Sequence, residues 1–172
     1  MSNTLTKANR HTAVWGGGFP RTTFLNGKWL CVPTGHGVTA LSLGTTAGAP
    51  DTSYNPSTTA DDLGGVIWNS ISTITISKCR IWYAQGGTAN TTHILCLMRY
   101  DIDADGTLSN GAEVAGPDTD SGSDDYTTLA FTDLTMTADN TVTSSQVLIA
   151  MIYFADGINI AVTGKCVIEY TM

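Results

Sequence analysis

At 172 residues and 42% hydrophobic content, the chain suffices for one domain with its own core and is too apolar to be disordered. Its formal charge of −7 is uneven: residues 1–50 hold Lys7, Arg10, Arg21 and Lys28 and no acid, whereas residues 51–172 hold four bases and all fifteen acids. An acidic body argues against nucleic-acid binding along its surface, and no apolar run reaches the roughly 18 residues of a membrane helix.

Twenty-eight threonines stand against two glutamates and four lysines. Threonine is β-branched and suits a pleated, half-exposed surface, while Glu and Lys fill helix exteriors, so the balance predicts strands and loops. The first expected element is a hairpin, Thr22–Leu25 and Lys28–Val32, turning on Asn26-Gly27, which supplies the two positive φ angles of a type I′ turn. Residues 44–62 are rich in Gly, Thr, Ser, Pro and Asp and predict a long surface loop. The expected organisation is therefore an N-terminal arm, hairpin and loop over residues 1–62, and a β-sandwich body over 63–172.

In the body, Ser72–Tyr83 alternates with Ile74 and Ile76 on one phase and Cys79, Ile81 and Tyr83 on the other. A pleated strand flips faces at every residue, so the phase change near Ser77-Lys78 predicts a β-bulge. Ile94–Met98 and Gln146–Phe154 are apolar on both faces and predict central strands. Between them an acidic loop is expected up to Tyr126, then short strands at Tyr126–Phe131 and Leu134–Met136. Ile158, Ile160 and Val162 alternate with polar or small residues, and Lys165–Met172 forms a last strand. Short strands at this spacing predict an all-β, antiparallel two-sheet sandwich, jelly-roll-like, with an extended N-terminal arm.

Few residues suggest chemistry. Asp101-Ile-Asp103-Ala-Asp105-Gly106 begins as a calcium loop does, with carboxylates at alternate positions and a turn glycine, making Asp101, Asp103 and Asp105 the metal candidates. An EF-hand needs a bidentate Glu at the twelfth place, which is Ala112 here, so the competing reading is an acidic hairpin loop shaped by Asp and Gly. No resident cofactor is expected beyond that possible calcium. The four cysteines are too far apart for a zinc site, and the absence of an apolar leader implies folding in a reducing cytoplasm, so they are expected as buried thiols. His11, His36 and His93 fall in no nucleophile–base pattern, and no G-x-S-x-G elbow occurs, so no catalytic residue is assigned and an enzyme is not expected. Trp15, Trp29, Trp68, Trp82 and Tyr54 suit stacking on sugars, but most lie in strands, where core packing is the default.

Leu63–Gly116 carries a family likeness. Leu-Gly-Gly-Val-Ile-Trp-Asn-Ser, Cys-Arg-Ile-Trp-Tyr and Asp-Ile-Asp-Ala-Asp-Gly-Thr-Leu-Ser-Asn-Gly-Ala-Glu-Val-Ala, together with the ending Cys-Val-Ile-Glu-Tyr-Thr-Met, resemble virion proteins of tailed bacteriophages. The resemblance implies a capsid cement or decoration protein: a homotrimeric jelly-roll-like domain that bridges neighbouring shell subunits, binds the major capsid protein and resides in the virion after assembly in the host cytoplasm. In that picture Lys7, Arg10, Arg21 and Lys28 are the arm's contacts with an acidic lattice. The alternative is a tail-fibre, spike or carbohydrate-binding module for host recognition.

Overall fold

The computed structural model describes residues 10–18, 22–24, 28–31, 50–53, 67–85, 93–120, 130–154, 158–160 and 162–172. The described residues hold twelve strands and no helix. In chain order these are β1 (His11–Gly18), β2 (Thr22–Phe24), β3 (Lys28–Cys31), β4 (Ile67–Asn69), β5 (Ile74–Gln85), β6 (His93–Ile102), β7 (Leu108–Asp120), β8 (Ala130–Leu134), β9 (Thr141–Val142), β10 (Gln146–Phe154), β11 (Ile158–Ile160) and β12 (Val162–Thr171). The first sheet runs β1-β12-β5-β8, with β9 extending the pairing of β5; the second runs β3-β10-β6-β7, with β4 also on β10; β2 and β11 form a separate pair.

Set aside the short strands β2, β4, β9 and β11, and the topology is nested. The first remaining strand pairs with the last (β1·β12), the second with the seventh (β3·β10), the third with the sixth (β5·β8) and the fourth with the fifth (β6·β7), all antiparallel. This is one long hairpin rolled into two four-stranded sheets, the jelly roll.

The sheets close on one core. Ile74, Ile76, Cys79, Ile81, Cys166 and Ile168 of the first sheet meet Leu95, Leu97, Val114, Leu148, Ala150 and Ile152 of the second. The predicted bulge is present: Glu169 pairs with Lys78 and Tyr170 with Ile76, leaving Ser77 as the extra residue. Ser77 and Lys78 are both exposed while Ile76 and Cys79 are both buried, which is how the strand changes phase without losing its core contacts. Cys79, Cys96 and Cys166 are buried free thiols, as expected, with the Cys79 and Cys166 sulfurs 3.9 Å apart. Burial pushes the thiols of Cys96 and Cys166 well above their ordinary range, keeping them protonated and unreactive.

The central strands of the second sheet, β6 and β10, are buried on both faces. Ile94, Cys96, Met98 and Tyr100 alternate with the core-facing Leu95 and Leu97, and Val147, Ile149 and Met151 do the same on β10, yet all are buried. Residues 50–53 lie against this outer face. Tyr100 Oη donates to the Asp51 carbonyl at 2.7 Å, and the Gly111 N–H donates to the Thr52 carbonyl at 2.8 Å.

Three expectations are corrected. Residues 11–31 are not an arm outside the body: β1 pairs over its full length with β12, from His11↔Tyr170 to Gly18↔Thr163, and β3 pairs with β10. Strands β2 and β3 do not form a hairpin with each other; β2 bonds to β11 and β3 to β10. Much of the acidic loop expected before Tyr126 is strand β7, which absorbs Asn110, Gly111 and Gly116 by irregular register opposite β6, with positive φ at Asn110 and Gly116. Residues 32–49, including the first part of the loop expected at 44–62, lie outside the described residues.

Candidate functional site

The three acids of the calcium candidate sit at the turn joining β6 to β7. Asp101, at the end of β6, accepts from Asn110 Nδ2 at 2.9 Å on one oxygen and from Gln146 Nε2 at 2.8 Å on the other. Asp103 accepts from the Ser109 hydroxyl at 2.9 Å, and Asp105 accepts from the Thr107 N–H at 2.9 Å. The Asp103 carbonyl receives the Gly106 N–H, and Gly106 turns at φ +85°. The carboxylates thus serve as acceptors for donors of the hairpin and of Gln146 at the start of β10. Among the described residues no three His, Cys, Asp or Glu side chains gather closely enough to hold a metal ion. A melt with and without EDTA is accordingly expected to give the same midpoint; a fall on chelation would restore the calcium reading.

These contacts have an acid–base consequence. Side-chain hydrogen bonds from Asn110 and Gln146 hold the Asp101 carboxyl below its usual range, the bond from Thr107 does so for Asp105, and Arg80 does so for Asp133. A carboxylate whose folded pKa lies below the unfolded value of about 3.9 contributes stability at neutral pH that disappears as pH falls through the folded pKa. Glu113, pushed up by desolvation, acts oppositely: its contribution is present below about pH 4.3 and lost as pH rises. Three groups against one predict a midpoint that drops below about pH 4. Asp101→Ala, which unties the hairpin from β10, is expected to cost about 1–2 kcal/mol at neutral pH and to flatten that acid limb, read by urea melts at pH 3 to 7. A wild-type midpoint independent of pH would contradict this.

Of the four basic candidates, two fall among the described residues. Lys7 and Arg21 lie outside the described residues. Arg10 is exposed just before β1 in the first sheet, and Lys28 opens β3 in the second.

A different patch is built from side chains that sequence reasoning assigned to the core or passed over. On the outer face of the first sheet, Trp82 and Phe131 are direct register partners, with ring centroids 4.8 Å apart. One step along, Arg80 is opposite Asp133 and donates to its carboxylate from both Nε and Nη2, the latter at 2.6 Å. The guanidinium also lies 4.1 Å from the Phe131 ring centre and 5.9 Å from that of Trp82. Val14, Val167, Lys165 and the Lys78–Glu169 ion pair complete the face across β1 and β12. Phe131 is 50% exposed and Val14 58%. The signal was available: the alternation that turns Cys79 and Ile81 inward turns Arg80 and Trp82 outward.

No family model and no curated protein matches the chain. Among solved structures it is similar to that of the infectious bursal disease virus Gx strain, at 10% identity and a TM-score of 0.43 over 95% of this chain and 32% of that one. A mutant VP2 protein of the same virus, in derived T=1 particles, is similar at 10% identity and a TM-score of 0.35, over 94% and 32%. The chain spans about a third of the length of either neighbour. Likeness at this level carries no weight for function.

Proposed function

We propose that this chain is a structural, non-enzymatic subunit of a virion, of the cement or decoration kind, which associates with a capsid shell by binding its major capsid protein. The observation that carries the reading is the nested strand order, since rolled eight-strand sandwiches of this type recur in viral capsid and lectin domains. The likeness of Leu63–Gly116 to phage virion proteins supports the same reading. So does an outer sheet face whose centre presents the aromatic and charged side chains of Arg80, Trp82, Phe131 and Asp133. With few bases among many acids, the chain is better suited to contacting protein than to packaging a genome. A homotrimer bridging adjacent shell subunits is the form this takes.

The test is co-sedimentation of the purified chain with capsids assembled without it, followed by the thermal stability of the loaded shells. Saturable binding with a raised shell melting point is expected; no binding at any concentration would refute the reading. The lectin use of the same fold gives the alternative, a host-recognition module, for which glycan-array binding without capsid binding is the deciding result.

A further inference from the structure

We propose that the outer face of the first sheet is a docking surface for a second copy of this chain, and that the copy presents the tip of its β6–β7 hairpin. The argument is one of complementarity. Of the four bases in residues 51–172, three are on this one face: Lys78, Arg80 and Lys165. Among the described residues, Asp133 and Glu169 are the acids that oppose them on this face. With three bases against two acids the face is net positive on a chain of charge −7, and its centre is the Arg80–Trp82–Phe131 cluster, an arginine with two aromatic rings of the kind enriched at interfaces.

The hairpin tip has the opposite character. Asp103 and Asp105 are exposed, Ala104 is exposed between them, and Ile102 beside them is 46% exposed, a large apolar side chain projecting from an acidic turn. Acid and apolar groups on the tip match base and aromatic groups on the face. Because the two patches differ, the contact is heterologous: each copy offers a free face and a free tip, so association continues into closed rings or extended arrays instead of stopping at a two-fold dimer. The inference takes its biological setting from the shell reading but is tested on the purified chain alone.

The experiment is light scattering after size exclusion over a range of protein and salt concentrations. Mass is expected to rise above the 18.1 kDa monomer with concentration at low salt. Association is expected to weaken about tenfold or more between roughly 0.01 M and 1 M salt, as the screening length falls from about 30 Å to about 3 Å. Phe131→Glu, the pair Lys78→Glu with Lys165→Glu, and the pair Asp103→Lys with Asp105→Lys should each give monomers, with the wild-type circular dichroism spectrum confirming the fold. Mixing the last two variants should restore association, because the acidified face of one then meets the basic tip of the other. A wild-type chain that stays monomeric throughout, or an assembly that survives Phe131→Glu, overturns the proposal. So does a monomer in which Phe131→Glu abolishes binding to capsids or to immobilised oligosaccharide, since the face would then belong to that partner. Capsid co-sedimentation is scored separately: a monomer that still binds capsids sinks this interface and leaves the shell reading standing, and self-association without capsid binding does the reverse.

Discussion

Removal of residues 1–33 is expected to abolish cooperative unfolding and send the remaining chain into aggregates. The deletion takes away β1, β2 and β3. Eight register pairs along β12 and four along β10 go with them, and Ala13 leaves the core. Strand β12 becomes an edge with a row of unsatisfied N–H and C=O groups, a template for pairing with other chains. A domain of this kind is stable by only about 5–15 kcal/mol in total, less than the loss of one of four strands from each sheet removes. The measurement is a urea melt followed by circular dichroism, with size exclusion of the same sample. A soluble truncated protein with a sharp transition would show that residues 11–31 are dispensable to the sandwich, and would return them to the role of an arm. The result also governs how shell binding by the basic residues is examined: substituting Lys7, Arg10, Arg21 and Lys28 singly is informative, whereas deleting the segment that bears them is not.

Gly116→Ala is expected to destabilise by roughly 2–4 kcal/mol, combining a positive-φ penalty with overpacking. Gly116 has φ +102°, and a Cβ there would lie 2.7 Å from the Leu95 carbonyl oxygen and 3.1 Å from Cys96 Cα. Both neighbours belong to β6, a strand packed on both faces, and cannot retreat cheaply. The residue also marks a crossing between sheets. Its N–H donates to the Thr135 carbonyl at 2.8 Å, Ala115 bridges to Met136, and Thr137 N–H donates to the Val114 carbonyl, so β7 of the second sheet is tied to the chain just beyond β8 of the first. Gly106→Ala is the control: φ is +85°, but no atom lies within 4 Å of the added Cβ, so only the conformational cost of about 1 kcal/mol is expected. A midpoint shift of roughly 5–15 °C for Gly116→Ala beside a few degrees for Gly106→Ala would separate the two effects. Equal shifts would show that the close approach to Leu95 is not what excludes a side chain.

The parts of the fold legible from residues are those decided by short-range alternation. Ile74 through Ile81 locate their own bulge because burial and pleat must agree residue by residue. Ile94–Met98 announce a two-face strand because no polar residue interrupts them, and Cys79, Cys96 and Cys166 read as thiols because apolar neighbours surround them. What stayed hidden depends on partners distant in sequence. Asn26-Gly27 is a strong local signal for a hairpin, yet β2 and β3 find better partners in β11 and β10, over a hundred residues away. Likewise the glycines of Trp15–Gly18 suggest a pliable segment until Lys165, Gly164 and Thr163 are placed beside them. Asn110, Gly111, Gly116 and Pro117 look like loop, and they become strand only because β6 supplies a fixed edge against which irregular register is tolerated. The acidic hairpin was legible as a turn; what its carboxylates accept from was not, because Gln146 enters from another strand.

The nesting of strand pairs sets a schedule for biogenesis. The partner of β1 is β12, the last of the twelve described strands to leave the ribosome, and the partner of β3 is β10. Among the described strands β6 and β7 are the pair adjacent in sequence and able to form early, so β1 and β3 wait with bare edges while the strands up to β10 and β12 are made. The second sheet cannot close until β10 has been made and the first until β12 has, and the chain up to that point is the state most in need of a chaperone.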